Sequence, residues 1–126
     1  MVKTQDMEKT VHMAMMFDFF GELLTDKQKE YFDLYYNENL TLSEIAQNEG
    51  ISRQGVRDNI MRAEAILRET EQKTGIVKRY IEMQNEIAAI EGYLNEIASL
   101  NQLRFKNGRL LELSNDILDR LQLLKG

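Results

Sequence analysis

Not one proline interrupts the 126 residues of this chain. Proline fixes φ, removes a backbone donor and breaks a helix interior at a cost of about 3 kcal/mol. Average usage would place roughly six prolines in this length, so their absence leaves helices free to run as far as the hydrophobic pattern allows. The seven glycines stand singly rather than in loop-like clusters. Strand-type alternation of useful length is missing, and no repeat of fixed period is visible beyond heptads. The chain reads as all-α.

Composition narrows the function classes. Hydrophobic residues at 43% and charged residues at 29% place the chain among globular proteins rather than disordered or membrane-spanning ones. Without cysteine there is no disulfide, thiolate nucleophile or cysteine-rich zinc site. A single histidine, His12, cannot build both a triad and a metal site. Asp6, Glu8 and Asp18 interrupt the apolar stretch of the first twenty residues, which is incompatible with a signal-peptide core, and no run reaches the ~18 apolar residues of a spanning helix. The reading is therefore a cytoplasmic protein with no membrane span, no cofactor and no metal. Neither a phosphate-cradling glycine loop nor a nucleophile elbow is present, and the sequence does not read as an enzyme.

Helix boundaries are written in the caps. Apolar residues recur at helical intervals from Thr4 to Leu24, with Met13, Phe17, Phe20 and Leu24 in one stripe and Val11, Met15 and Phe19 widening it. A first helix buried on most sides is expected. Thr25 with Gln28 has capping-box spacing, predicting a second helix from Asp26 to about Tyr36 whose apolar faces are Tyr31, Phe32, Leu34 and Tyr35. A turn follows over 37–40, where asparagines tolerate unusual backbone angles. Thr41 with Glu44 repeats the capping box, and a short third helix, with Leu42, Ile45 and Ala46 inward, ends near Gly50. Ser52 then caps a fourth helix with Val56, Ile60, Ala63 and Leu67 on its buried side. Two helices joined by three or four residues containing a glycine have helix-turn-helix spacing.

After Gly75 the period tightens to a heptad. Ile76, Tyr80, Met83, Ile87, Ile90, Leu94 and Ile97 alternate spacings of four and three, and Asn101 and Arg104 continue the register in polar form. Asn107-Gly108 signals chain reversal, after which Leu110, Leu113, Ile117, Leu121 and Leu124 resume the same spacing. Leucine stripes of this length are not left in water. The expected architecture is a helix-turn-helix domain over 1–74 followed by a helical tail over 75–126. The tail forms a hairpin or a dimerising coiled-coil-like stripe, and a homodimer through Ile76, Tyr80, Met83, Ile87, Ile90, Leu94 and Ile97 is the expected assembly.

Charge locates the recognition chemistry. The formal charge of −5 is concentrated before residue 41, whereas Ile51–Arg62 carries Arg53, Arg57 and Arg62 against Asp58 alone. That stretch is read as the basic island. Ser52, Arg53, Gln54, Arg57, Asp58 and Arg62 are the candidate nucleic-acid-binding residues on the outward side of the fourth helix. Arginine takes guanine bidentately, glutamine takes adenine, and a serine-capped helix N-terminus holds a phosphate. Gly55, costing about 1 kcal/mol relative to alanine in a helix, is read either as room for close backbone approach or as an incidental choice.

Between Leu24 and Leu67 the sequence resembles the fourth region of bacterial sigma factors and, more closely, the YlxM family of small helix-turn-helix proteins. The residues that carry the likeness are Leu24-Thr25-Asp26-Lys27-Gln28, Leu34-Tyr35-Tyr36, Leu42-Ser43-Glu44-Ile45-Ala46, Ile51-Ser52-Arg53-Gln54-Gly55-Val56 and Asp58-Asn59-Ile60. The resemblance implies an all-helical protein with a helix-turn-helix and a helical tail, and a role with the signal recognition particle. Two functions follow as expectations. One is a DNA-binding regulatory dimer; the other is a non-catalytic adaptor that binds the particle's RNA or its GTPase.

Overall fold

The computed structural model describes residues 4–125, with side chains from residue 8 onward. Among the described residues the chain forms α1 (Thr4–Phe20), α2 (Asp26–Tyr36), α3 (Leu42–Glu49), α4 (Arg53–Thr74), α5 (Ile76–Leu100) and α6 (Gly108–Lys125), and no strand. A 3₁₀ turn, Gly21–Leu23, follows α1, and a π-type turn, Asn101–Phe105, follows α5. These elements sort into two compact units, one up to Val77 and one from Lys78 on.

In the first unit α4 is the central helix, and α1, α2 and α3 all pack on it. Both capping boxes are formed as the sequence requires. The Thr25 hydroxyl accepts from the Gln28 N–H while the Gln28 side chain accepts from the Thr25 N–H, and Thr41 and Glu44 do the same for α3. Gly50 closes α3 at φ 69, a left-handed conformation that glycine adopts without a Cβ penalty. The predicted α4 face is buried in full, with Val56, Ile60, Ala63 and Leu67 all excluded from solvent. Tyr31, Ile45 and Ala46 meet Val56 and Ile60 in one cluster. Each such large side chain contributes about 1.5–3 kcal/mol of transfer free energy. A run of rings extends this core: Phe17 stacks on Phe32 at 4.6 Å, Phe32 on Tyr36 at 4.4 Å, and Tyr35 meets Tyr36 edge-on at 5.2 Å.

The first helix differs from expectation. It ends at Phe20 rather than Leu24, and it is buried on one face, not most. Met13, Met16, Phe20 and Leu24 are inside, whereas Val11 and Phe19 are exposed. The reason is that α1 packs mainly on α4, with Phe17 reaching Phe32 of α2, so an apolar run longer than that contact leaves its flank in water.

The second unit is a helical hairpin. Ile87 and Leu94 of α5 pack with Leu121 and Leu118 of α6, and Lys125 pairs with Glu91 at 2.6 Å. The turn is fixed by Asn101, which is buried. Its amide donates to the Asn107 carbonyl and its carbonyl accepts from the Asn107 N–H, both at 2.9 Å. Asn107 in turn caps α6 by accepting from the N–H groups of Arg109 and Leu110.

The hairpin is one of the two forms expected for the tail, and only part of the expected stripe faces into it. Ile87 and Leu94 of the expected seam face inward, but Ile76, Met83, Ile90 and Ile97 are exposed, as are Leu110, Leu113, Ile117 and Leu124. The inward positions of α5 are instead completed by Gln84, Glu91, Ala98 and Asn101, all buried or half-buried. Ser114 does the same in α6. Relative to the expected stripe, the inward set is shifted by one position at 84, 91 and 98, and the isoleucines and leucines beside it lie along the flank.

Candidate nucleic-acid interface

The turn between α3 and α4 is held by local bonds. Ile51 N–H donates to the Ala46 carbonyl at 3.2 Å, and Ser52 Oγ accepts from the Gly55 N–H at 3.0 Å. The cap accounts for Gly55 better than either sequence reading. A Cβ there would lie 3.2 Å from Ser52 Oγ, tight enough to displace the hydroxyl that starts the helix. Asn59 reinforces the same place by donating to the Gly55 carbonyl at 2.9 Å.

From this capped start, Ser52, Arg53, Gln54, Arg57, Asp58 and Arg62 are all exposed. Arg53, Gln54 and Arg57 share a groove with Leu42 of about 670 Å³. Arg62 lies a turn further along α4 and does not line it. Among the described residues no ion pair involves Arg53, Arg57 or Arg62, whereas Arg68, on the same helix, is taken by Glu64 at 3.3 Å. Guanidinium groups without a carboxylate partner are available to phosphate or to a base edge. Asp58 has a different place from the others. It accepts from Gln54 Nε2 at 2.9 Å, which ties that carboxamide back along the helix.

Three further residues belong to the site that the sequence alone did not assign. Tyr35, Leu42 and Met61, with Arg57, Ile60 and Glu64, line a notch of about 280 Å³ next to the groove. Leu42 was expected inward and is only half-buried. Tyr35 was assigned to the core, yet it lies at the open end of the ring stack and is exposed. Met61 carried a signal, since it stands one turn beyond Arg57 on a face that must point outward. Beneath the notch, burial and the neighbouring Glu64 raise the Tyr36 hydroxyl's pKa far above the ordinary tyrosine value. Tyr36 is therefore a neutral hydrogen-bond donor, not an ionisable site group.

The match with known proteins rests on the same segment and reaches beyond it. The family described as "Putative helix-turn-helix protein, YlxM / p13 like" (UPF0122) matches residues 7–106. The chain belongs to this family. Within the UPF0122 family it is 43% identical over 96 residues to a protein of Bacillus mycoides strain KBAB4. It is 42% identical over the same length to proteins of Bacillus cereus strain AH187 and Bacillus anthracis strain A0248. Each of these alignments covers 76% of this chain and 87% of the relative. The family match stops at residue 106, the last residue before Asn107 and α6. The family segment therefore holds α4 and its arginines together with α5, and α6 lies outside it.

No helix among the described residues is long and apolar enough to cross a membrane.

Proposed function

We propose that this protein is a non-catalytic regulatory protein that binds nucleic acid through the N-terminal half of α4 and works as a homodimer. The observation that carries the reading is the set of exposed arginines, Arg53, Arg57 and Arg62, that have no ion-pair partner among the described residues. In an acidic protein, cations facing solvent from a capped helix are where a polyanion would be received. Arg53 and Arg57 hold phosphate or guanine, Gln54 presents its oxygen to a base, Ser52 keeps the helix start open to a phosphate, Arg62 extends the contact, and Asp58 acts through Gln54. Duplex DNA is the ligand favoured by helix-turn-helix geometry. With net charge −5 and three arginines per copy, affinity depends on two copies acting together.

Residues 75–126 supply the pairing. Because Ile87 and Leu94 are already spent within the hairpin, the surface offered to a second copy is the flank formed by Met83, Ile90 and Ile97 of α5 with Leu110, Ile117 and Leu124 of α6. Each set recurs at seven-residue intervals, so two hairpins would meet as a four-helix bundle rather than a two-stranded coiled coil.

A salt titration of binding to duplex DNA and to structured RNA tests the reading. Arg57→Ala is expected to weaken binding by about 1–3 kcal/mol and to lower the salt slope by about 0.9 per copy. Binding to neither polymer, or binding indifferent to Arg53→Ala and Arg57→Ala, overturns it.

The notch of Tyr35, Leu42 and Met61 favours a second reading, an adaptor for the signal recognition particle. An unstacked base of a folded RNA, with an arginine at its phosphate, suits such a recess better than the edges of a closed duplex do. Capture of the particle's RNA or GTPase from a bacterial extract supports this alternative; capture of DNA alone removes it.

A further inference from the structure

The basic island on α4 has a counterpart at the hairpin tip. From Ile97 to Leu111 the chain carries Arg104, Lys106 and Arg109 and no acid. This local charge of +3 in a chain of −5 leaves −8 for everything else. Apolar residues alternate with these cations. Leu103 is 77% exposed and Phe105 66%, with Leu100, Leu110 and Leu111 also in solvent around them. The π-type turn sets this order, because Asn101 clamps Asn107 and Lys106 takes a positive φ of 49, which turns Leu103 and Phe105 outward on a fixed loop. Arg109 shares its charge with Glu112 in an exposed pair at 3.0 Å, whereas no ion pair among the described residues involves Arg104 or Lys106.

We propose that this tip docks on the surface of an anionic lipid bilayer, with Leu103 and Phe105 entering the acyl boundary and Arg104, Lys106 and Arg109 held at the headgroups. Two large apolar side chains separated by one cation are positioned for an interface whose inner side is apolar and whose outer side is negative. Leu103 and Phe105 are mostly in solvent, which suits a surface that deforms around them. A protein partner would need a matching pocket, and an RNA would find one ring for stacking and one exposed carboxamide, Gln102, beside it but no use for the exposed Leu103, Leu110 and Leu111, which an acyl boundary takes together. Charge adds to the attraction: between Ile97 and Leu111 no acid offsets the three cations, so a membrane of negative sign draws this segment in.

The chain contains no tryptophan, so Phe105→Trp places a single reporter at the tip of the full-length protein. Its emission is expected to shift to the blue with vesicles of phosphatidylcholine mixed with phosphatidylglycerol, to stay unchanged with phosphatidylcholine alone, and to return on adding salt. Flotation of the otherwise wild-type chain with the mixed vesicles should fall by roughly tenfold in Arg104→Gln/Lys106→Gln, and by at least as much in Leu103→Ser/Phe105→Ser. Circular dichroism identifies any variant that has lost its helices, and the tryptophan reporter and the charge variant test the idea without the serine pair. No shift with anionic vesicles, an equal shift with neutral ones, or a shift produced by structured RNA and not by lipid overturns the proposal. Binding to nucleic acid through α4 is measured separately with Arg57→Ala, so failure at the tip and failure at α4 are distinguishable.

Discussion

The two units of this protein bury their apolar residues in opposite proportions. Among the described residues, thirteen of the sixteen buried apolar side chains lie at or before Val77, and thirteen of the twenty exposed large apolar ones lie at or after Met83. The first unit closes a core around α4; the second brings Ile87, Leu94 and Leu121 together and leaves the rest of its stripes outside. A unit that closes its core within one copy and a unit that leaves an apolar flank exposed are therefore joined in a single chain. The difference teaches that the first unit closes around its own core, whereas the second keeps most of its large apolar side chains in solvent.

The sharpest break would come in the first core. Phe32 is fully buried between Phe17 and Tyr36, and Phe32→Ala is expected to cost about 4 kcal/mol. Thermal melts followed by circular dichroism measure it. A cost below about 1 kcal/mol would mean that the ring stack is not sealed and that the contrast between units is overstated.

Next in size is the flank of the hairpin. Ile90→Asp with Ile117→Asp places charge on two exposed positions, so the first unit should keep its melting behaviour while self-association is lost across the accessible concentration range. Sedimentation at several concentrations reads the outcome. An unchanged oligomer would show that another surface pairs the chains, and a monomer in both proteins would overturn the homodimer.

The same contrast explains which parts of the molecule were legible in the sequence. In the first unit each boundary is set within four residues: Thr25 with Gln28, Thr41 with Glu44, Gly50 and Ser52. Such signals do not depend on tertiary partners. The buried face of α4 could be read for a related reason, since only one of its sides is apolar. In the tail two registers compete, because Met83, Ile90 and Ile97 are as apolar as Ile87 and Leu94. The choice between them is made by Asn101, Ser114 and Glu91, polar residues whose burial depends on the folded-back helix. At the interface the arginines were visible through their charge, whereas Tyr35 and Leu42 were not, because rings and leucines on short helices ordinarily close cores.

A smaller effect tests how local the start of α4 is. Ser52→Ala removes the oxygen that accepts the Gly55 N–H, at an expected cost of about 1 kcal/mol. The loss should appear in the melting of the first unit and leave self-association untouched. A change in sedimentation would mean that the start of α4 influences pairing.

The smallest expected effect lies at the far end of α3. Glu49 closes that helix with no basic residue in its last turn, and its carboxyl pKa is raised chiefly by a hydrogen bond with Glu30, with lesser contributions from desolvation and from the charge of Glu30. The neighbouring Glu30 carboxylate disfavours the ionised form of Glu49, partly offset by Lys27, and a negative charge at a helix C-terminus opposes the dipole. For an acid whose folded pKa lies above its unfolded value, the folded state gains stability as pH falls through the folded pKa and loses it as pH rises. Glu49→Gln removes the repulsion at every pH, so it should raise the melting temperature slightly at neutral pH. That advantage should shrink as acid protonates the wild-type pair. Paired melts at neutral and mildly acidic pH read the difference, and an advantage independent of pH would show that the charge of Glu49 is not its source. In either case the site is at the surface of the first unit, so the effect should remain well below that of Phe32→Ala.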